Sequence, residues 1–204
     1  MLFSWHDSRQ AFTDAASWFV RTTAHAGDRW HEPGLGEWDV RALVGHTSRS
    51  LLTVELYLDQ PAAAAEVASA ADYFRTIRAL AADPAVAARG RDAGAALGAD
   101  PAAAVTEIAA RVLPLVQGKD GTELLTTIAG GMRLADYLPT RTFELTVHTA
   151  DLAAALGLPL DPPATAAKQA LQLAADLAVA ENSAGPLLLA ITGRTSLPAG
   201  FSVL

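Results

Sequence analysis

Apolar residues recur along the chain at helical spacing, in stretches separated by short polar breaks that carry proline and glycine. Ala11, Ala15, Trp18 and Phe19 form one such stripe, predicting a first helix from Asp7 to Ala26 with Ser4 or Asp7 capping its start. His31-Glu32-Pro33-Gly34-Leu35-Gly36 reads as a loop. Val40, Val44, Leu51, Val54 and Leu58 predict the buried side of a second helix from Trp38 to Leu58, with Asp39 in its first turn where a carboxylate complements the helix dipole. Beyond Pro61 the pattern thins into alanine, and Ala62–Ala65 reads as a helical linker. Helices are expected over Ser69–Ala82, Pro84–Leu97 and Pro101–Gln117, with Pro84 and Pro101 at first helical positions. Thr122–Ile128 has the composition of a strand, but Gly130-Gly131 closes it quickly, so it reads as an extended excursion. The following helix begins between Leu134 and Pro139 and stops at Gly157. A helix over Ala164–Glu181 and a short apolar one over Pro186–Thr192 complete the pattern, which shows no repeat of fixed period.

Composition strengthens the helical reading. Of 204 residues 45 are alanine, the best helix former, while aromatics make up 6%. The fold class expected is all-α. With 51% hydrophobic residues and a mean hydropathy of +0.23, the chain can bury a sizeable core. Its formal charge of −7 lacks the basic surplus that phosphate recognition needs, which argues against a nucleic-acid partner. The residues from Met1 to Gln10 contain no apolar core of signal-peptide length, and the most apolar stretches, Leu152–Leu160 and Pro186–Ile191, are too short to span a bilayer. A soluble, cytoplasmic protein without a membrane partner is therefore expected. Cysteine is absent, which removes disulfides, thiolate metal sites and a cysteine nucleophile together; any thiol chemistry must use a thiol from a small molecule.

One helix carries candidate chemistry. Arg141, Glu144, His148 and Asp151 follow one another at spacings of three, four and three, which confines them to an arc of roughly 80° at 100° per residue. Their neighbours Phe143, Leu145, Val147, Leu152, Ala155 and Leu156 are apolar enough to bury the helix. A polar stripe on a buried helix is costly unless its members are paired or hold a ligand. Glu144 and His148, four apart, can share a metal ion or simply form a helix-surface pair. On the second helix His46 shares a face with Leu43, Ser50, Thr53 and Tyr57. It can supply a third ligand, leaving coordination positions open for water or substrate, or serve as a hydrogen-bonded core histidine. Arg141 either binds a substrate carboxylate or pairs with Glu144. Asp151 either orients the His148 ring or pairs with a base such as Arg141. Arg194, after a helix stop, either reaches the site as an anion ligand or complements a helix carboxy-terminus. Trp30 and Trp38 read as packing anchors before substrate walls, and His6, His25 and His31 are not expected to be ligands.

Three blocks in order carry a resemblance. Trp30-x-x-Pro33-x-x-Gly36-x-Trp38-x-Val40-x-x-Leu43-Val44-x-His46 is similar to the opening of the DinB-like, mycothiol-dependent maleylpyruvate isomerase family. Arg141-x-x-Glu144-x-x-x-His148-x-x-Asp151, preceded by Gly131-Met132-x-Leu134-x-Asp136-Tyr137, resembles its second block. Leu187-Leu188-Leu189-x-Ile191-Thr192-Gly193-Arg194 and Leu197-Pro198-x-Gly200 resemble the tail of shorter actinobacterial members. The resemblance implies a DinB-like four-helix bundle over residues 1–157 with additional short helices, and a helical extension over 158–204 packed on it. It also implies a divalent metal held by His46, Glu144 and His148, most often Zn2+, with Ni2+ or Fe2+ as alternatives. Mycothiol is the implied cosubstrate, and an electrophilic small molecule the partner in an isomerisation or thiol transfer. Arg141, Asp151 and Arg194 are the remaining catalytic candidates. The isomerase proper has a longer carboxy-terminal domain that contributes to its site, and this chain ends at Leu204. Other readings are a metal- and ligand-binding stress-related protein without turnover, and a helical dimerisation module; a homodimer is compatible with any of them.

Overall fold

Ser4 opens the first helix. Its hydroxyl accepts from the Asp7 amide at 3.1 Å while the Asp7 carboxylate accepts from the Ser4 amide at 3.2 Å, a reciprocal cap that starts α1 at Trp5–Ala24. This computed structural model describes residues 3–81 and 85–204. A single 3-10 turn over Arg29–His31 leads into a minimal antiparallel ladder, β1 Pro33–Leu35 with β2 Trp38–Asp39, where a plain loop was expected. Asp39 stands at the amino-cap of α2 (Val40–Leu58), accepting from Ala42 N at 2.8 Å, and so lies just outside the helix instead of in its first turn. The other helices are α3 (Ala70–Ala81), α4 (Ala85–Ala96), α5 (Pro101–Gln117), α6 (Leu134–Ala155), α7 (Ala164–Ala180) and α8 (Ala184–Ile191). The expectations that Pro84 opens a helix and that one ends at Ala82 fall outside the described residues. Asp100 caps α5 at Ala103 N, and Gly157, at φ +64°, follows the last turn of α6 in the left-handed conformation that suits glycine.

α1, α6, α2 and α5 pack in that order around a four-helix ring, the all-α bundle expected. Phe12, Phe19, Leu43, Leu51, Leu138, Leu145 and Leu152 fill its centre, all fully buried. α4 lies on the outer side of α2, where Gly45 and Gly94 let the two backbones touch; a Cβ on Gly45 would be driven into the Gly94 backbone. α7 packs on α6 and α1 through Ala166, Ala170, Leu173 and Leu177. α8 touches α7 and leaves Leu188, Leu189 and Ile191 exposed.

Two further expectations need correction. Gly130-Gly131 does not close the strand at 122–128 but begins its partner: β3 (Leu124–Thr127) and β4 (Gly130–Arg133) form an antiparallel hairpin. Ala62–Ala65 is not helical. That segment runs beside the hairpin, with Ala62 N donating to Leu124 O at 3.0 Å and Val67 N to Gly131 O at 3.0 Å. Gly131 permits this approach, since a Cβ there would strike the Ala64 carbonyl. Hairpin edges offer unpaired backbone groups, and pairing with them overrides the helix preference of a short alanine run.

Candidate metal centre

α2 and α6 are neighbours in the ring, and their facing sides bring His46 together with Glu144 and His148. One donor atom from each of the three lies within 4.8 Å of the other two, and all three side chains are partly buried. They are the one group of this kind among the described residues. His148 Nε2 lies 3.2 Å from Glu144 Oε2, one helical turn away. Its other ring nitrogen, Nδ1, donates to Asp151 Oδ2 at 3.0 Å, which fixes the ring and leaves Nε2 directed at Glu144. The His46 ring stands edge-on to His148 with centroids 4.9 Å apart, and Trp38 covers it from the other side at 4.4 Å.

Charge is distributed unevenly over these groups. Burial alone would push the Glu144 carboxyl up, but its hydrogen bond with His148 and the nearby Arg141 cation outweigh that and hold it at about 2. Burial likewise works against a charged His148; its hydrogen bonds to Asp151 and Glu144 prevail and raise it to about 9. His46 goes the other way. Burial and the positive charge of His148 lower it to about 4, against the opposing pull of Glu144. Its Nδ1 is buried without a hydrogen-bond partner, an expensive state for a polar atom that a bound cation on the ring would compensate.

The donor set suits zinc: two imidazoles and a carboxylate match catalytic zinc ligation, in which three protein ligands leave a position open. The closest pair is already within reach of a common ion, and His46 supplies a neutral, unprotonated ring.

Arg141 is held by aromatic rings and not by a pair with Glu144. Its guanidinium lies against the rings of both Tyr73 and Tyr137, 5.3 and 5.1 Å from their centroids, and Nε donates to Thr140 Oγ1 at 2.9 Å. It closes no ion pair with Glu144 among the described residues and acts on that carboxylate through space. Asp151 faces His148, not Arg141. Arg194 lies on the exposed segment after α8, where Nη1 donates to Thr192 O, and it is not brought to the three ligands. Trp38 has two attachments, since its Nε1 also donates to Ala87 O in α4 at 3.0 Å.

Thr53 and Tyr137 stand in the sequence pattern, on the face of His46 and in the motif before Arg141, but without a role there, and Tyr73 is absent from it. Tyr137 sits one turn before Arg141, a spacing that marks it as a same-face neighbour, and its hydroxyl donates to Thr53 Oγ1 at 3.0 Å. Tyr73 comes from α3 and leaves no local signal.

A family model described as the mycothiol maleylpyruvate isomerase N-terminal domain matches residues 9–153, a span that contains His46, Arg141, Glu144, His148 and Asp151 but not Arg194. Searches of curated proteins and of solved structures find no match.

Proposed function

Because the chain belongs to the mycothiol maleylpyruvate isomerase N-terminal domain family, we propose that it is a zinc protein that uses mycothiol to act on a small electrophile, as an S-transferase or an isomerase. The observation that supports this most directly is the convergence of His46, Glu144 and His148 from two adjacent helices inside the matched span. His46, Glu144 and His148 would hold the ion. When bound, zinc supplies Lewis acidity that lowers the pKa of a coordinated thiol, so that thiolate is available at neutral pH. Asp151 holds the His148 ring by its Nδ1 proton and presents Nε2. The hydrogen bond from His148 keeps Glu144 ionised, helped by Arg141 from its seat against two tyrosines. Trp38 packs against the partly buried ring of His46.

In the reaction the thiol gives up its S–H proton to water, and its sulfur forms a bond to the electrophilic carbon. In a transfer, the leaving group departs with the electron pair of the broken bond. In an isomerisation, the sulfur adds to one carbon of a C=C bond and the π pair moves onto the conjugated carbonyl as an enolate; after rotation about the resulting single bond the pair returns to re-form the double bond, and the sulfur leaves as thiolate and recovers a proton. With no cysteine in the chain, no protein thiol competes for the electrophile. Cytoplasm, which keeps such thiols reduced, is the compartment that fits.

Elemental analysis after reconstitution with zinc should give about one ion per chain, lost in His46→Ala and His148→Ala. The loaded protein should consume mycothiol in the presence of a panel of electrophiles, and the two variants should not. A stable, reconstituted protein that retains no divalent metal would overturn the reading.

A further inference from the structure

Glu144 has a second neighbourhood. Between α3, α6, α7 and the last residues of the chain lies a cleft of ≈ 360 Å³ in which Glu144 forms part of the lining. That volume is at the small end of ligand pockets, which run from about 300 to 1,000 Å³. Its walls are apolar: Phe74 and Ile77 from α3, Leu177 from α7, and Val203 and Leu204. Two arginines, Arg75 and Arg78, stand at its edge, but both are engaged by Glu181. Arg78 Nη1 is 2.7 Å from one Glu181 oxygen, and Arg75 Nε is 3.4 Å from the other. Asp72 adds a second carboxylate, 3.5 Å from Arg75 Nη1. Two guanidiniums therefore meet two carboxylates, and the rim offers no net positive charge to an incoming anion.

We infer that this cleft receives the apolar, uncharged body of the electrophile, and that the chain beyond the family match completes it. The inference rests on the metal-centre reading for the chemistry at Glu144, but the cleft itself does not depend on an ion. Leu177, Glu181, Val203 and Leu204 all follow residue 153, where the match ends. A dicarboxylate would have to displace Glu181 from Arg75 and Arg78 and leave its own second charge against Phe74, Ile77 and Leu177. An aryl or short alkyl body loses nothing there and buries apolar surface. Glu181 is thus a specificity-determining residue, because it occupies the cations that would otherwise select an acid.

Binding of two fluorescent probes to the full, zinc-treated chain tests this. The uncharged N-phenyl-1-naphthylamine should bind at one site per chain and more tightly than its anionic relative 1-anilinonaphthalene-8-sulfonate. Val203→Asp, at the partly buried rim, should weaken the uncharged probe at least tenfold without changing zinc content. Leu188→Asp, on the exposed side of α8, should leave binding unchanged and so excludes adsorption to that surface. Glu181→Ala should free Arg78, leave Arg75 held only by Asp72, and reverse the preference toward the anionic probe. If Val203→Asp binds the uncharged probe as the parent does, or if the parent prefers the anionic probe, the inference falls, while zinc content reports separately on the metal centre. Loss of zinc binding with the probe behaviour intact would remove the metal reading and leave the cleft's preference standing.

Discussion

At the scale of single residues, two histidines a ring's width apart are held in opposite protonation states. His148, raised to about 9 against its own burial by Asp151 and Glu144, carries a proton at pH 7; His46, lowered to about 4 by burial, does not. A metal can bind His148 only once that proton has left. Zinc binding near pH 7 is therefore expected to release about one proton per ion from His148, falling to about half near pH 9 and vanishing well above it. Calorimetric titrations in buffers of different ionisation enthalpy measure this; an enthalpy independent of buffer at pH 7 would contradict it. The same shifts set the pH dependence of the metal-free fold. The contribution of His148 is complete below its unfolded value of 6.5 and is lost as pH rises through 9. His46 acts on the other side, because the unfolded chain takes up its proton below 6.5 while the folded chain resists until about 4. Glu144 adds to that side, since its stabilisation is lost as pH falls from 4.5 through 2. The melting temperature of the metal-free protein should peak near pH 6.5, and His148→Gln should flatten the alkaline limb and also weaken the acid limb, because His148 helps hold Glu144 and His46 low.

At the scale of elements, the site depends on α2 being held in place from outside the ring. Gly45 precedes His46, and α4 lies directly on its backbone at Gly94, secured by Arg41 Nε donating to Gly94 O at 2.9 Å. Gly45→Ala would gain up to about 1 kcal/mol of helix propensity. Overpacking costs about 1–3 kcal/mol, and here the obstacle is backbone, which cannot rotate away. The clash should win, giving a net loss of ~1–2 kcal/mol in denaturant unfolding together with weaker zinc retention; unchanged stability would show that α4 is not a support. Most of this layer was legible in the sequence. The ring helices followed from apolar spacing and their caps, and the Arg141–Asp151 stripe from the period of the helix. The hairpin and the extended Ala62–Ala65 run were not, because alanine favours a helix locally and only pairing with β3 and β4 pulls it straight. The cleft was invisible for a related reason. Phe74, Glu144, Leu177 and Val203 come from four separate parts of the chain, and no spacing connects them. Trp38 was singled out as an anchor, yet its stacking on His46 depends on the turn before α2, which the pattern does not encode.

At the scale of the whole molecule, the three candidate ligands join two sides of the ring, so an ion would act as a crosslink between α2 and α6. Anything that binds the folded chain and not the unfolded one stabilises it, by ~2.7 kcal/mol at a free concentration one hundred times Kd. For a chain of this size each kcal/mol raises the melting temperature by roughly 2–4 °C, so zinc should raise it by roughly 5–10 °C. A chelator should reverse the shift, and His46→Ala, which removes the only α2 ligand, should abolish it. The location of the effect is as informative as its size. Added protection from hydrogen exchange should concentrate in α2 and α6 and extend to α4, which is attached through Trp38 and Gly94, while α8, which touches α7, should gain little. Stabilisation of His46→Ala equal to that of the parent, or protection centred on α7 and α8, would place the ion elsewhere and separate the bundle's architecture from the metal chemistry argued for it.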